Sequence, residues 1–226
     1  MPVSLAAAEI FQPFLIFVRV GAILSLLPGF SAVFVSARVR LLLALIISLL
    51  LAPVLAERLP SPPASAAGLV LLIAGETITG VFIGSIARIL LTALHAAGTM
   101  TAYFASLANA LVQDPVVDQQ TATLAGFFTT LGLTAVFATD LHHLMLHGIV
   151  DGYAVFPAGR APPVGDLAAA IGRLVADSFV LGVQLAAPFL IVGVGYQVAL
   201  GLLGRLLPQL PVYFFGMPLQ VGLQIW

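Results

Sequence analysis

Apolar stretches about as long as a membrane is thick dominate this chain. A bilayer core of about 30 Å takes roughly 20 apolar residues of helix, and several stretches of the sequence reach that length. Hydrophobic residues make up 61% of the chain and charged residues only 8%, whereas soluble domains carry about a quarter charged residues. The sequence therefore predicts an all-α, polytopic integral membrane protein.

Five apolar segments are predicted to be helical. They lie at 5–27, 41–55, 68–97, 124–149 and 167–207. The third and fifth segments exceed one bilayer span, because a helix rises about 1.5 Å per residue. Pro188 and nearby glycines predict a kink or break in the fifth segment. Pro208, Pro211 and Pro218 are expected to end regular helix.

Charge and cysteine content exclude several classes of function. The net charge is −1 and the sequence has no basic patch, which gives no support to nucleic-acid binding. The chain has no cysteine, so disulfides and thiol chemistry are excluded. The first eight residues carry no basic side chain, so we expect the first apolar segment to be retained rather than cleaved as a signal peptide.

Histidines and aspartates cluster at the end of the fourth segment, at Asp140, His142, His143, His147 and Asp151. The one-turn spacing of His143 and His147 suits metal chelation and would allow a membrane enzyme. The alternative is a polar helix end at the membrane interface. We favour the interface, since the cluster lacks the glutamate of zinc proteases, and we expect no metal.

Glu76 and Arg88 are charges inside an apolar helix. A charge at the bilayer centre costs about 2.5–3.5 kcal/mol and is usually paired or functional. The two residues lie three turns apart and on different faces, so they are not expected to pair with each other. A proton relay is one interpretation. A salt bridge to another subunit is favoured, because one carboxylate and one arginine are too few groups for a convincing relay.

Recognisable catalytic motifs are absent from the sequence. It has no nucleophile elbow, phosphate loop or dinucleotide fingerprint, and Gly193-x-Gly195 lies inside an apolar helix with no preceding strand. Gly80-x-x-x-Gly84 instead predicts close helix packing. We therefore predict a protein that is not an enzyme and has no cofactor.

An ordered series of landmarks runs along the chain. It includes Phe17-x-Arg19-x-Gly21, Arg38-Val39-Arg40, Gly75-Glu76, Tyr153-x-x-Phe156-Pro157 and, as its most specific piece, Gly-x-x-x-Arg-x-x-Pro-Gln over 201–209. This order and spacing resembles the FliR family, the R component of the flagellar type III export gate, and its relatives in virulence injectisomes. The resemblance covers almost the whole chain, which is read as one domain, 1–226. Because the family usually continues with another apolar helix, the resemblance predicts a shortened C-terminal end.

The resemblance implies a definite assembly. Family members form, with P and Q subunits and a single R copy, a helical gate that passes unfolded export substrates. The resemblance implies helical hairpins that are partly lifted out of the bilayer and shielded by neighbouring subunits, which would explain over-long helices with breaks. The A and B export-apparatus proteins are further implied partners. The implied location is the bacterial inner membrane at the flagellar basal body, and the resemblance fits a flagellar or an injectisome system.

The resemblance also implies a plug loop that helps to close the pore, at 103–120 in this chain. Polar residues interrupt the apolar pattern there, and non-helical backbone at membrane depth is tolerated only when it is buried in protein or lines a cavity. The predicted plug residues are Tyr103, Phe104, Leu107, Asn109, Leu111, Val112, Gln113, Asp114 and Pro115. The alternative is an ordinary loop between helices.

Five polar residues are expected to make contacts between subunits: Arg19, Glu76, Arg88, Arg205 and Gln209. A different class of function, a secondary transporter or permease subunit for a small solute, ranks second. That function would require paired broken helices in the two halves of the chain, and the predicted break at Pro188 has only a loose counterpart near 98–115.

Overall fold

The computed structural model describes residues 2–107, 111–114, 119–207, 209 and 212–225. The described chain is built mainly of α-helix, which confirms the predicted fold class. The helices are α1 (Pro2–Leu24), α2 (Ala37–Leu55), α3 (Ala66–Phe104), α4 (Thr123–Ala138), α5 (Leu141–Val155), α6 (Val164–Leu206) and α7 (Val212–Ile225). A short 3₁₀ turn, Ala56–Arg58, follows α2.

A two-stranded antiparallel hairpin lies between α3 and α4. Strand β1 (Leu111–Asp114) pairs with β2 (Gln119–Ala122), with Leu111 opposite Ala122 and Asp114 opposite Gln119. The sequence predicted non-helical backbone here but no strands. The pairing gives partners to backbone N–H and C=O groups of the two strands, which have no helical partners.

Among the described residues, three helices are long and apolar enough to cross a membrane: α2 with its 3₁₀ turn, α3 and α6. The pair α4 and α5 forms a fourth candidate, bent by 74° where the two helices meet. With 39 and 43 residues, α3 and α6 extend about 58 and 64 Å, roughly twice a bilayer core. The prediction of over-long helices is therefore confirmed.

Three predicted boundaries are wrong. The segment expected at 124–149 is divided at Thr139 and Asp140, where Asp140 takes a left-handed conformation (φ 58°). Of the kink or break expected at Pro188, the break is absent, since α6 continues as one helix from Val164 to Leu206, and the kink stays a prediction. Pro218 lies inside α7 rather than ending it. Transmembrane helices tolerate proline more readily than helices in water-soluble proteins do.

The first compact unit lies within residues 1–89 and 134–174. Its core joins Ile16, Val20 and Ile23 of α1 to residues of α2 and α5, including Ile149. α3 packs against α1 with almost no space between the backbones, since a Cβ added at Gly80 would lie 2.7 Å from the Arg19 carbonyl oxygen. Close packing at Gly80-x-x-x-Gly84 is thus confirmed.

The second compact unit lies within residues 90–133 and 175–226. Its small core contains Ala102, Ala122 and Ala125. Beside it, a Cβ added at Gly98 would lie 2.5 Å from the Cα of Ala125, so α3 and α4 touch backbone to backbone. α3, α4 and α6 contribute residues to both units, and the single domain predicted from the sequence stays a prediction.

Candidate functional site

A buried ion pair joins α1 to α3 in the first unit. The Nε atom of Arg19 donates a hydrogen bond to Oε2 of Glu76 over 2.6 Å. The two residues are only 1% and 2% exposed. Gly80, one turn after Glu76, lets α3 approach α1 closely enough for this contact.

Further polar atoms of the ion pair are bonded to the end of α5 and the loop after it. Nη1 of Arg19 donates to the carbonyl oxygen of Phe156 (2.9 Å) and, over 3.5 Å, to that of Gly152. Oε1 of Glu76 accepts from the backbone N–H of Gly159 (3.4 Å). We call these five residues the Arg19 clasp. A cation at the C-terminal end of α5 also complements the helix dipole.

Tyr153 completes the surroundings of the clasp. Its ring centroid lies 4.0 Å from Cζ of Arg19, within the range of a cation–π interaction. The residue is 2% exposed, and its hydroxyl finds no hydrogen-bond partner among the described residues. Tyr153 lies in one of the sequence landmarks, but its contact with Arg19 was not predicted, because the two residues are far apart in the chain.

The structure changes the expectation for two of the five predicted subunit contacts. Arg19 and Glu76 were expected to meet other subunits, whereas the structure pairs them within this chain, because Gly80 and Gly84 bring α1 and α3 together. Arg88, Arg205 and Gln209 lie on the exposed surface of the described chain. Their contacts with other subunits stay a prediction.

The predicted plug residues fall on the hairpin segment, which we define as residues 103–122. Tyr103, at the end of α3, is 67% exposed, and its ring meets that of Phe104 edge to face. Leu107 packs against the small core of the second unit. The backbone of Leu111, Val112, Gln113 and Asp114 forms β1, and Asn109 and Pro115 lie outside the described residues.

The start of the hairpin segment has a defined helix cap. Ser106 takes a left-handed conformation (φ 60°). The N–H of Leu107 donates to the carbonyl of Ala102, and that of Ser106 to the carbonyl of Tyr103. This is a Schellman motif, which ends a helix and satisfies carbonyls of its last turn.

Gln220 of α7 bonds to the same helix end. It is 2% exposed, and its Nε2 donates to the carbonyl oxygen of Phe104 over 2.7 Å. A second contact fixes α7 to α6, where the hydroxyl of Tyr196 donates to the carbonyl of Gly216 over 2.7 Å. Gln220 was not among the predicted contact residues, because no local pattern distinguishes it from other polar residues in an apolar helix.

The histidine cluster differs from its predicted form. One ligand atom each from Asp140, His142 and His143 lies within 4.8 Å of the others. His147 is not in this group, but both His143 and His147 line an apolar groove with residues of α2 and α5. The side chains of Asp140 and His143 are 77% and 65% exposed. His142 is half-buried, and the interface role favoured from the sequence stays a prediction.

Comparison with known proteins decides the family. The family model described as bacterial export proteins, family 1, matches residues 10–226. This chain belongs to that family. The flagellar biosynthetic protein FliR of Caulobacter vibrioides is 39% identical over 95% of this chain and 86% of its own length. FliR of Pectobacterium carotovorum is 29% identical over 96% of this chain and 82% of its own.

The similarity extends to injectisome proteins. The Yop proteins translocation protein T of Yersinia pestis is 28% identical over 67% of this chain and 59% of its own length. The resemblance of this FliR-family chain to both groups is thus confirmed. Together with the apolar helices, family membership makes the chain a multi-pass membrane component of a bacterial export apparatus.

Proposed function

We propose that this chain is the R-type subunit of a flagellar type III export gate. It assembles as a single copy with P and Q subunits, beside the A and B export proteins, into an inner-membrane channel for unfolded flagellar proteins, and it performs no catalysis itself. The observation that carries the proposal is the 39% identity to a FliR protein over 95% of this chain.

The exposed surface of the helices supports a role in an assembly. Large apolar side chains are exposed along α2 and along the length of α6, among them Leu50, Leu181, Ile191 and Leu206. A bilayer core about 30 Å thick is too thin to cover a helix of 43 residues. Partner subunits would cover the remainder of this apolar surface.

The position of the hairpin segment and the aromatic residues at its start support its assignment as a plug. Irregular backbone at membrane depth needs protein or a cavity around it, and the segment interrupts the apolar helices between α3 and α4. Exposed Tyr103 and half-buried Phe104 lie at its start, where apolar side chains could exclude water from a constriction.

The alternative function as a small-solute transporter loses its main structural argument. It required broken helices in corresponding positions of the two halves, and α6 continues unbroken through Pro188. The bend between α4 and α5 has no counterpart among the other described helices.

Co-expression with the host's P and Q subunits tests the assembly. We expect a discrete complex containing one copy of this chain, and an unstable or aggregated product when the chain is expressed alone. A well-behaved solitary chain that restores export without P and Q would overturn the proposal.

A leak assay tests the plug. Deletion of residues 108–111 should make cells that express the gate permeable to ions and small solutes, because the seal is shortened. The matched control deletes residues 61–64, an equally short stretch of the loop before α3. A gate that assembles with the 108–111 deletion and leaks no more than this control would exclude the plug.

A further inference from the structure

One side of the first half of α6 is polar, although α6 is long and apolar enough to cross a membrane. Four residues, which we call the polar stripe, lie on this side: Asp166, Arg173, Asp177 and Gln184. A helix turns about 100° per residue, so their spacings of 7, 4 and 7 residues place the four side chains within about 40° of one another. All four residues are exposed.

The polar stripe is too long to be the polar end of a membrane helix. From Asp166 to Gln184 the helix rises about 27 Å, which is close to the thickness of a bilayer core. Charged side chains reach the membrane surface from positions near a helix end only. The stripe ends at Gln184, because the same side of α6 continues with Pro188 and Ile191.

The central charges of the stripe have no partner in the part of the chain that the structure describes. Arg173 and Asp177 lie one turn apart, yet neither forms an ion pair or a hydrogen bond with a described residue. Charged residues within membrane segments almost always face water or a partner charge, because lipid solvates them poorly. Lipid is therefore excluded as the cover of this side of α6.

The opposite side of the same stretch is apolar and is also exposed. Val175 and Phe179 are 47% and 56% exposed, and they point about 140–180° away from the middle of the polar stripe. The buried side of α6 includes Ser178 and Gly182. A Cβ added at Gly182 would lie 3.2 Å from the carbonyl oxygen of Ala93 in α3. The two exposed sides of α6 thus suit two different surroundings, one aqueous and one apolar.

We propose that the polar stripe borders a water-filled passage in the assembled gate, and that the apolar side of α6 faces away from this passage. The inference rests on the proposed function, because a protein-conducting gate provides the passage. It adds the surface of this chain that meets the exported polypeptide. Two carboxylates, a guanidinium and an amide present hydrogen-bond donors and acceptors, which suit water and the backbone of an unfolded chain of any sequence.

Thiol labelling tests the inference, because the chain has no cysteine. Asp177→Cys and Gln184→Cys each place one thiol on the polar stripe, whereas Val175→Cys and Phe179→Cys place one on the apolar side. Thiols react as thiolates, which form in water and not in apolar surroundings. In a gate assembled with cysteine-free P and Q subunits in lipid nanodiscs, a water-soluble maleimide should label the two stripe positions at least about tenfold faster.

The order of these positions along the helix excludes depth as the explanation. Position 177 lies between 175 and 179, so a segment that simply protrudes into water would be labelled at all three. Equal labelling at the four positions, or no labelling at 177 and 184, would overturn the inference and leave the proposed function standing. Gln184→Cys changes no charge, so it keeps the test decisive if Asp177→Cys fails to assemble.

A stalled export substrate distinguishes the passage from another water-filled crevice. A substrate halted in the gate should slow the labelling of Gln184→Cys, because the substrate occupies the passage. It should not change the labelling of Ser61→Cys, in the exposed loop before α3. Labelling of Gln184→Cys that does not respond to the substrate would overturn the inference alone. A wild-type chain that forms no complex with P and Q would overturn the proposed function and the inference with it.

Discussion

Nε of Arg19 lies 2.6 Å from Oε2 of Glu76, although 57 residues separate them in the chain. Both side chains are buried, so neither charge can be hydrated when the other is removed. We expect Arg19→Ala or Glu76→Ala to destabilise the first unit by about 3–5 kcal/mol. Thermal unfolding of the detergent-purified gate measures the loss, with Arg38→Ala, an exposed arginine at the start of α2, as the control.

Exchanging Arg19 and Glu76 with each other tests whether stability depends on their mutual contact or on any change at these two positions. Arg19→Glu combined with Glu76→Arg should recover part of the stability that either single exchange loses, because the two charges again face each other. Recovery should be incomplete, since the carbonyls of Gly152 and Phe156 would face a carboxylate. Single variants as stable as Arg38→Ala would contradict the clasp.

Removing the hydroxyl of Tyr153 is not expected to lower stability, in contrast to removing either charge of the ion pair. It is buried without a partner among the described residues, so removing it costs no hydrogen bond within them. Tyr153→Phe should leave stability unchanged or raise it by about 1 kcal/mol, while Tyr153→Ala should lower it by about 3–5 kcal/mol through lost packing. A large loss for Tyr153→Phe would show that the hydroxyl has a partner in the assembled gate.

The close contact between α1 and α3 can be tested by a substitution at Gly80. A methyl group at Gly80 would meet the carbonyl of Arg19, whereas nothing lies within 4 Å of the corresponding position at Gly172 in α6. Gly80→Ala should destabilise by about 1–3 kcal/mol. Gly172→Ala should be neutral or stabilise by up to about 1 kcal/mol, because alanine favours helix. If Gly80→Ala and Gly172→Ala changed the stability equally in thermal unfolding, the close contact would be excluded.

The helix cap at the start of the hairpin segment predicts that glycine at position 106 stabilises the protein. Ser106 has φ 60°, a conformation that costs a residue with a side chain roughly 1–2 kcal/mol. Ser106→Gly should therefore raise stability by about 1 kcal/mol. Ser85→Gly, inside α3, should lower it by a similar amount. A destabilising Ser106→Gly in the same unfolding assay would count against the Schellman cap.

The helical membrane architecture could be predicted because it depends on local properties. Runs of apolar residues of bilayer length predict α2, α3 and α6 without any knowledge of their neighbours. Gly80 and Gly84 likewise predicted a close helix contact that the structure confirms. The spacing of the two glycines does not indicate which helix they contact, so α1 could not be predicted as the partner.

Long-range pairing explains what the sequence did not predict. Glu76 was expected to need a partner from another subunit, since its nearest basic residue on α3 lies on a different face, but its partner lies 57 residues earlier. Gln220 bonds to a carbonyl 116 residues away. Pro188 and Pro218 were expected to interrupt helices, but both lie inside continuous helices.

Cross-linking of a stalled export substrate tests the central claim most directly. A photoreactive residue at position 113, in the predicted plug, should cross-link to a substrate halted in the assembled gate, and the same residue at position 61, in the loop before α3, should not. Cross-links at 113 that depend on the stalled substrate would match a protein-conducting channel. Equal yields at both positions, or none at 113 in a gate that still exports, would contradict it.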